Sequence, residues 1–398
     1  MSNAVEPTGY PEWDRAQRVA LITAAAGAGA FLVLGALLYA LHAIIAPLQF
    51  LLSYLVAFNF WLSIALGCLV ILMLQYCTGG VWGFLLRRVL EAATRTLPLL
   101  AVLFVPLLFG LHWLYIWVDS QNDEELQHKA LYLNVPFFVA RAIGYLAIWM
   151  VLAYLLSRWS WAQDRGTLRY SGRCFRLLSA PGLMLYGGTI TFASIDWVMS
   201  LEPFWYSTIF PVLYAVGQVL TGLAFAIAVL ILLATRGPLA DVITKAHQRD
   251  LGNLLLAFVM LWAYMSFSQF LLIWVGNLPE EIPWYLRRIR GGWQAVALVL
   301  VLCHFALPFL LLLSRDIKEN RRLLAAVAIG LLLMRFVDVF WWIEPAYPHD
   351  DQYGFWLLDL SATVGLGGIW VWWFVRQLRK YPLLPLNDAR LEEVKNHE

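Results

Sequence analysis

Between Phe50 and Thr78 the chain carries no charged residue, and nine further stretches are nearly as apolar. A helix needs about 20 apolar residues to cross the hydrocarbon of a bilayer. In that medium every backbone N–H and C=O must be satisfied inside the protein, which leaves only helices and closed barrels. Long continuous runs, rather than alternating ones, predict helices. Ten spans follow: Arg18–Ala46, Phe50–Thr78, Leu97–Val118, Pro136–Ser157, Ala180–Ser200, Trp205–Thr235, Asp250–Val275, Gly292–Ser314, Leu323–Ile343 and Gly354–Val375. A composition of 61% hydrophobic and 14% charged residues belongs to an all-α integral membrane protein and not to a soluble domain.

The charges orient the spans. Nearly all of the 28 Lys and Arg lie near the two ends or in the even-numbered loops; the odd-numbered loops hold only Lys129, Arg287, Arg288 and Arg290. Positive charge stays on the cytoplasmic side, so both termini are expected there. The acidic loop Asp119–Glu125 then faces outward, with Trp341 and Trp342 at the outer interface and Trp370, Trp372 and Trp373 at the inner one. The polar, acidic first residues lack the basic start of a signal peptide, so the first span is expected to remain as an anchor. No basic patch, no P-loop and no dinucleotide fingerprint is present, which removes nucleic acids and nucleotides as partners and leaves lipids. Cys68, Cys77, Cys174 and Cys303 are scattered, with no haem-attachment or iron–sulfur spacing, so they read as packing residues and no metal or cofactor is expected on this chain.

Four local patterns recur in the same order. Leu114–Val118 (LYIWV) matches Leu271–Val275 (LLIWV), and Val135–Arg141 (VPFFVAR) matches Ile282–Arg288 (IPWYLRR). LLSR recurs at Leu155–Arg158 and Leu312–Arg315, and Asp196…Glu202-Pro203 matches Asp338…Glu344-Pro345. Spans two to five (residues 50–203) and six to nine (204–345) therefore read as two copies of one four-helix bundle. Matched spans are four apart, so the copies run in the same direction, as a parallel repeat. Spans one (18–46) and ten (354–378) flank the bundles, with residues 1–17 and 379–398 as a cytoplasmic segment and tail. The small-residue runs Ala24–Ala30 and Gly365–Gly368 give these two spans faces for close helix contact, on the bundles or on another subunit.

An ionisable group inside a bilayer is costly unless paired, which makes each one a functional candidate. Asp196 and Arg141 both lie near the outer end of their spans and can reach one another. Arg335 and Asp338, three residues apart, share a helix face and read as a structural ion pair. Asp196 has no partner on its own helix and stays open between a structural and a functional role. His112 aligns with Gln269 in the repeat; it reads as a hydrogen-bonded bundle residue with a relay role as the alternative. His304 lies deeper, and His42, Gln294, Glu202, Glu344 and Asp359 share the outer half. Glu202 and Glu344, each before a Pro at a span end, read as interfacial. The inner half offers chiefly Gln75 and Tyr76, so each bundle is expected to hold a polar half-pocket that opens outward. A desolvated carboxyl with a His nearby suits proton transfer, or a quinol headgroup between apolar walls; a neighbouring Arg favours the ionised form and makes Asp338 the poorer relay.

The segments Phe60–Pro98, Ser194–Phe210 and Asp250–Arg288 resemble the ActF-type membrane subunit of bacterial alternative complex III, within the wider group of NrfD/PsrC-like membrane anchors. The resemblance runs over nearly the whole chain. It implies a complex that oxidises membrane quinol and passes electrons to a cytochrome c or a terminal oxidase. It implies partner subunits that carry haem c and iron–sulfur clusters, and an NrfD-like ActC-type paralogue with the main quinol site. This chain would bind no redox cofactor and would not be catalytic alone. Its expected share is to scaffold the redox subunits and to offer a proton pathway or quinone access near Asp196, Arg141, His112, Gln269, Arg335, Asp338 and His304. Of these, the resemblance itself carries over Asp196 with its neighbours, and Gln269. Some relatives carry a His in the span-two segment; Gln75 and Tyr76 stand there instead, which argues against an inner relay of that kind. A stand-alone secondary transporter and a purely structural anchor are the competing readings. Pro211 and Pro308 lie inside spans but at unmatched positions, unlike the paired broken helices of many carriers.

Overall fold

The computed structural model describes residues 11–43, 45–119, 124–166, 172–234, 242–347 and 356–384. Every element among them is helical. Ten helices are long and apolar enough to cross a membrane: α1 (Glu12–Leu41), α2 (Ala46–Thr78), α3 (Arg87–Phe109), α4 (Val135–Asp164), α5 (Gly172–Leu201), α6 (Phe210–Leu233), α7 (Lys245–Gly276), α8 (Trp293–Leu313), α9 (Arg321–Ala346) and α10 (Trp356–Leu378). The chain is an all-α, multi-pass membrane protein. Most of the acidic outer loop, residues 120–123, and the ends 1–10 and 385–398 lie outside the described residues.

Local chemistry sets the ends. Asn134 caps α4, its side-chain oxygen accepting from the Phe137 N–H at 2.9 Å, with Pro136 in the first turn. Thr244 and His247 cap α7 reciprocally. α2 ends on Gly79 with φ +75°, a left-handed conformation that costs glycine little. α3 departs most from its predicted span. It starts at Arg87, ten residues before Leu97, and ends at Gly110, after which the chain forms the short helices Leu111–Leu114 and Ile116–Val118. Arg87, Arg88, Glu91 and Arg95 make its first turns strongly polar, which hides a helix from a hydropathy argument. They are accommodated because they face the protein: the first three are buried and Arg95 largely so.

α2 and α6, matched positions of the repeat, pack face to face at the centre and are almost wholly buried. α3, α4 and α5 complete one bundle on α2; α7, α8 and α9 complete the other on α6. The cross-contacts α5–α6 and α2–α9 correspond to one another under the exchange of bundles. The central crossing depends on two glycines. A Cβ on Gly67 would strike the Gln218 carbonyl, and one on Gly222 would lie 2.5 Å from the Cys68 nitrogen. Without side chains there the two backbones touch, as small residues allow in membrane helices.

α1 and α10 pack on each other rather than separately, with Gly27 against Gly365 and Gly368 against Ala24. The pair is attached to α2 through α10, where the Trp61 indole donates to the Thr363 carbonyl at 2.9 Å. The start of α1 meets the end of α10, Arg379 binding Asp14 at 2.6 Å and Gln17 at 3.0 Å; this is the termini side of the molecule, and the other is the far side. Trp342 and Trp370 are buried, which corrects their predicted place in lipid-facing belts.

Replacing Gly222 with Leu should force α2 and α6 apart and lower stability by about 3 kcal/mol, the upper end for overpacking. Gly187→Ala, on a face of α5 with open space, should stay within about 0.5 kcal/mol of the parent. Thermal unfolding of the two variants in detergent checks the contrast.

Candidate functional site

On the far side, α5 presents Asp196 inward, fully buried. Arg141 of α4 grips both of its oxygens, Nε to Oδ2 at 2.9 Å and Nη2 to Oδ1 at 2.8 Å. Such a two-point pair is the strongest geometry available to a carboxylate. The Tyr145 hydroxyl donates to Oδ2 at 3.0 Å, and Arg141 Nη1 donates to the Tyr132 carbonyl at 2.9 Å. The guanidinium also lies over the rings of Tyr132 and Phe137, 3.9 and 4.2 Å from their centroids. Every charge is therefore matched, as a buried pair requires.

The matched carboxylate in the second bundle, Asp338, is held differently. Its arginine, Arg335, comes from its own helix, and the Trp262 indole of α7 donates to Asp338 Oδ2 at 3.0 Å. Arg335 Nε donates to Thr221 at 3.1 Å, and the guanidinium rests where a Cβ on Gly217 would be. His304 is fully buried, its ring 4.0 Å from that of Trp262, and neither ring nitrogen has a hydrogen-bond partner among the described residues. It lies in the π-helical turn Leu300–Ala306 of α8, a local widening of the helix often found at functional sites. Arg335, Asp338 and His304 thus come together around Trp262, while Asp196 and Arg141 form a separate site.

Gln269 is buried beside a cavity of about 140 Å³ lined also by Ser207, Thr208 and Glu281, and its amide has no partner within the protein. His112, its match in the repeat, is exposed and lies against Trp113 at 3.6 Å; it joins neither ion pair, which corrects its reading as a bundle residue. The reason is the break at Gly110, which turns this stretch away from α3. His42 is exposed, and exposed Gln294 accepts from the Gly292 N–H at 2.9 Å.

Glu202 is buried and bound by Arg287 at 2.7 Å and Arg288 at 2.8 Å, both from the short helix Ile282–Arg288 that precedes α8. Burial lowers the Arg288 pKa, and Glu202 opposes the shift. Arg288 also donates to the Trp341, Trp284 and Trp342 carbonyls at 3.2, 3.0 and 2.6 Å. The first bundle's terminal carboxylate is thereby fastened to the second bundle. Glu344, its repeat partner, is buried too and receives the Gln49 amide, 3.1 Å from each oxygen, with no arginine bound to it among the described residues.

The termini side is richer than predicted. Arg88 binds Glu91 at 2.7 Å, Ser160 at 3.2 Å and also Asp164; Arg95 lies 3.8 Å over Trp161. Gln75 and Tyr76 lie in this part of the first bundle, Tyr76 beneath Arg87, and the Gln75 amide has no protein partner. The sequence argument missed the cluster because it placed Arg87–Arg95 in a loop. Trp262, Tyr145 and Thr221 were missed as well; an indole or hydroxyl at membrane depth, which needs a partner, was the available signal.

Beside the Asp196 pair an open groove of about 420 Å³ runs along Leu131, Tyr132, Ile195, Met199, Ser200 and Trp205, with His128, Lys129 and Tyr206 at its polar parts. Two of its walls touch the pair: Tyr132 accepts from Arg141, and the Ser200 hydroxyl donates to the Asp196 carbonyl at 2.5 Å. Comparison with protein-family models and with curated proteins finds no match to this chain.

Removing one partner of the Arg141–Asp196 pair leaves a buried charge alone, a loss of about 3–5 kcal/mol. Asp196→Ala and Arg141→Met should each show it, while the double variant should be less destabilised than the sum of the two. Additive losses in detergent unfolding would mean that the two groups do not act as a pair.

Proposed function

We propose that the chain is a membrane subunit of a quinol-oxidising respiratory complex of the alternative complex III kind. In this reading it scaffolds haem c and iron–sulfur subunits and gives quinol access to the far side of its first bundle, with termini in the cytoplasm. The observation that carries the site is the groove beside Arg141–Asp196. Its size falls in the range of small-molecule sites, its walls are mostly apolar, and its polar groups are few. A flat, mostly apolar ring with hydroxyls at its edge needs such a surface. The resemblance of Phe60–Pro98, Ser194–Phe210 and Asp250–Arg288 to ActF-type subunits supports the wider assignment.

The two arginine-bound carboxylates serve this reading as fixed points: they lock α5 to α4 and α9 to α7. His304 and Gln269, buried with unpartnered polar atoms, are the better places for water or a moving proton in the second bundle. A carrier with paired broken helices is disfavoured, since the irregular turn of α8 has no counterpart in α4, an unbroken helix over Val135–Asp164.

Purification from native membranes tests the assignment. Haem c and iron–sulfur proteins should accompany the chain, and the preparation should oxidise quinol. Ile195→Trp, which fills the groove, should assemble normally and lower quinol turnover at least several-fold. Isolation as a single subunit that moves solutes in liposomes would overturn the reading.

A further inference from the structure

A further buried acidic site lies where α2 begins, α9 ends and α10 begins. Glu344 and Asp359 are 5% and 1% exposed, and their carboxyl groups face each other within hydrogen-bond reach. Their other neighbours are neutral. The Gln49 amide donates to both Glu344 oxygens, and Ser53 lies beside Asp359 and accepts from Gln49 at 3.4 Å. No Arg, Lys or His among the described residues acts on either carboxyl. This sets the pair apart from Asp196, Asp338 and Glu202, each of which holds an arginine.

Two further observations show that the cluster is incomplete. Among the described residues Asp359 draws only on the Ser53 hydroxyl and a backbone N–H, neither well aligned, and the fully buried Gln49 Oε1 has no donor although its amide sits on Glu344. The cluster therefore has an acceptor excess. A proton removes it: a hydrogen bond between two carboxyls requires an O–H on one of them, and two carboxylates this close cannot both stay ionised. A metal cation fits poorly. Hard cations take six or more oxygens at about 2.0–2.6 Å, whereas here an N–H points at Glu344 and no third His, Cys, Asp or Glu among the described residues joins the pair.

We infer that Glu344 and Asp359 form a proton-binding site in which the pair shares one exchangeable proton, at the seam between the bundles and the α1–α10 pair. The site lies about 5 Å inside the far end of α10, Asp359 being three residues from its start, which keeps it within reach of water. It stands independently of the quinol-oxidation reading, because no residue of the groove takes part.

Two measurements on the full-length chain in native lipid at neutral pH test it together. Infrared spectroscopy should show a protonated-carboxyl C=O band that shifts in D2O and is lost in both Asp359→Asn and Glu344→Gln. Dicyclohexylcarbodiimide, which adds a carboxyl O–H across C=N and rearranges to a stable N-acylurea, should label Glu344 or Asp359 once per chain. Asp196 and Asp338 should stay unlabelled. A spectrum without a protonated-carboxyl band would overturn the inference, whatever the reagent reaches. So would a band that persists in both folded variants, or one that sodium ions remove in a saturable manner.

Discussion

The backbone contact of α2 with α6 is what the other features of this protein rest upon. With Gly67 and Gly222 at the crossing, two helices from different bundles share one central column, and their side chains are satisfied across it. Tyr214 donates to Asn59 at 2.5 Å and Tyr186 to Gln218 at 2.8 Å, both across the bundle boundary. Polar groups at this depth have no water to fall back on, so the backbones must be close enough for direct bonds. The same closeness lets Arg335 of α9 lie against Gly217 of α6, which brings its charge to Asp338 and Thr221 together. A wider crossing would leave these groups short of partners.

Around that column the two bundles share a plan but use their arginines unequally. Arg141 and Arg288 occupy matched positions of the repeat. Arg141 stays in its own bundle and binds Asp196. In the second bundle Asp338 already has Arg335, so Arg288 reaches across to Glu202 instead. Glu344, the match of Glu202, then has no cation among the described residues; the Gln49 amide binds it, and another acid, Asp359, stands beside it. The two copies differ at this point: the second has Arg335 where the first has Ala193, and the charges are distributed accordingly.

Sequence reasoning reached the helical class, the ten spans and the nearness of Arg141 to Asp196, because each depends on local quantities: run length, charge density and depth along a helix. It failed where neighbours decide. Arg87–Arg95 looked like a loop because four charges in nine residues are costly in lipid, and only the folded chain reveals Ser160, Asp164 and Trp161 waiting for them. His112 looked buried because its repeat partner Gln269 is, yet a single glycine turns it outward. Glu202 and Glu344 looked alike from their shared Glu-Pro context, and nothing local separates a carboxylate bound by two arginines from one facing an aspartate. The groove, too, is a product of packing, since its walls come from 128–133 and 195–206, two parts of the chain far apart in sequence.

These outcomes alter where proton chemistry belongs in the molecule. A carboxylate that accepts two N–H bonds from an arginine and an O–H from a tyrosine, as Asp196 does, is fixed in place by strong bonds. Asp338 is held almost as firmly. Conspicuous acidic residues in an apolar sequence are therefore the ones that folding has neutralised, which is why the chain tolerates them at that depth. The groups left with spare acceptors among the described residues include His304, beside Trp262, and the Glu344–Asp359 pair. His304 lies inside the second bundle and Glu344 at its end, where Asp359 of α10 meets it, so these spare acceptors gather where the two copies differ in their arginines.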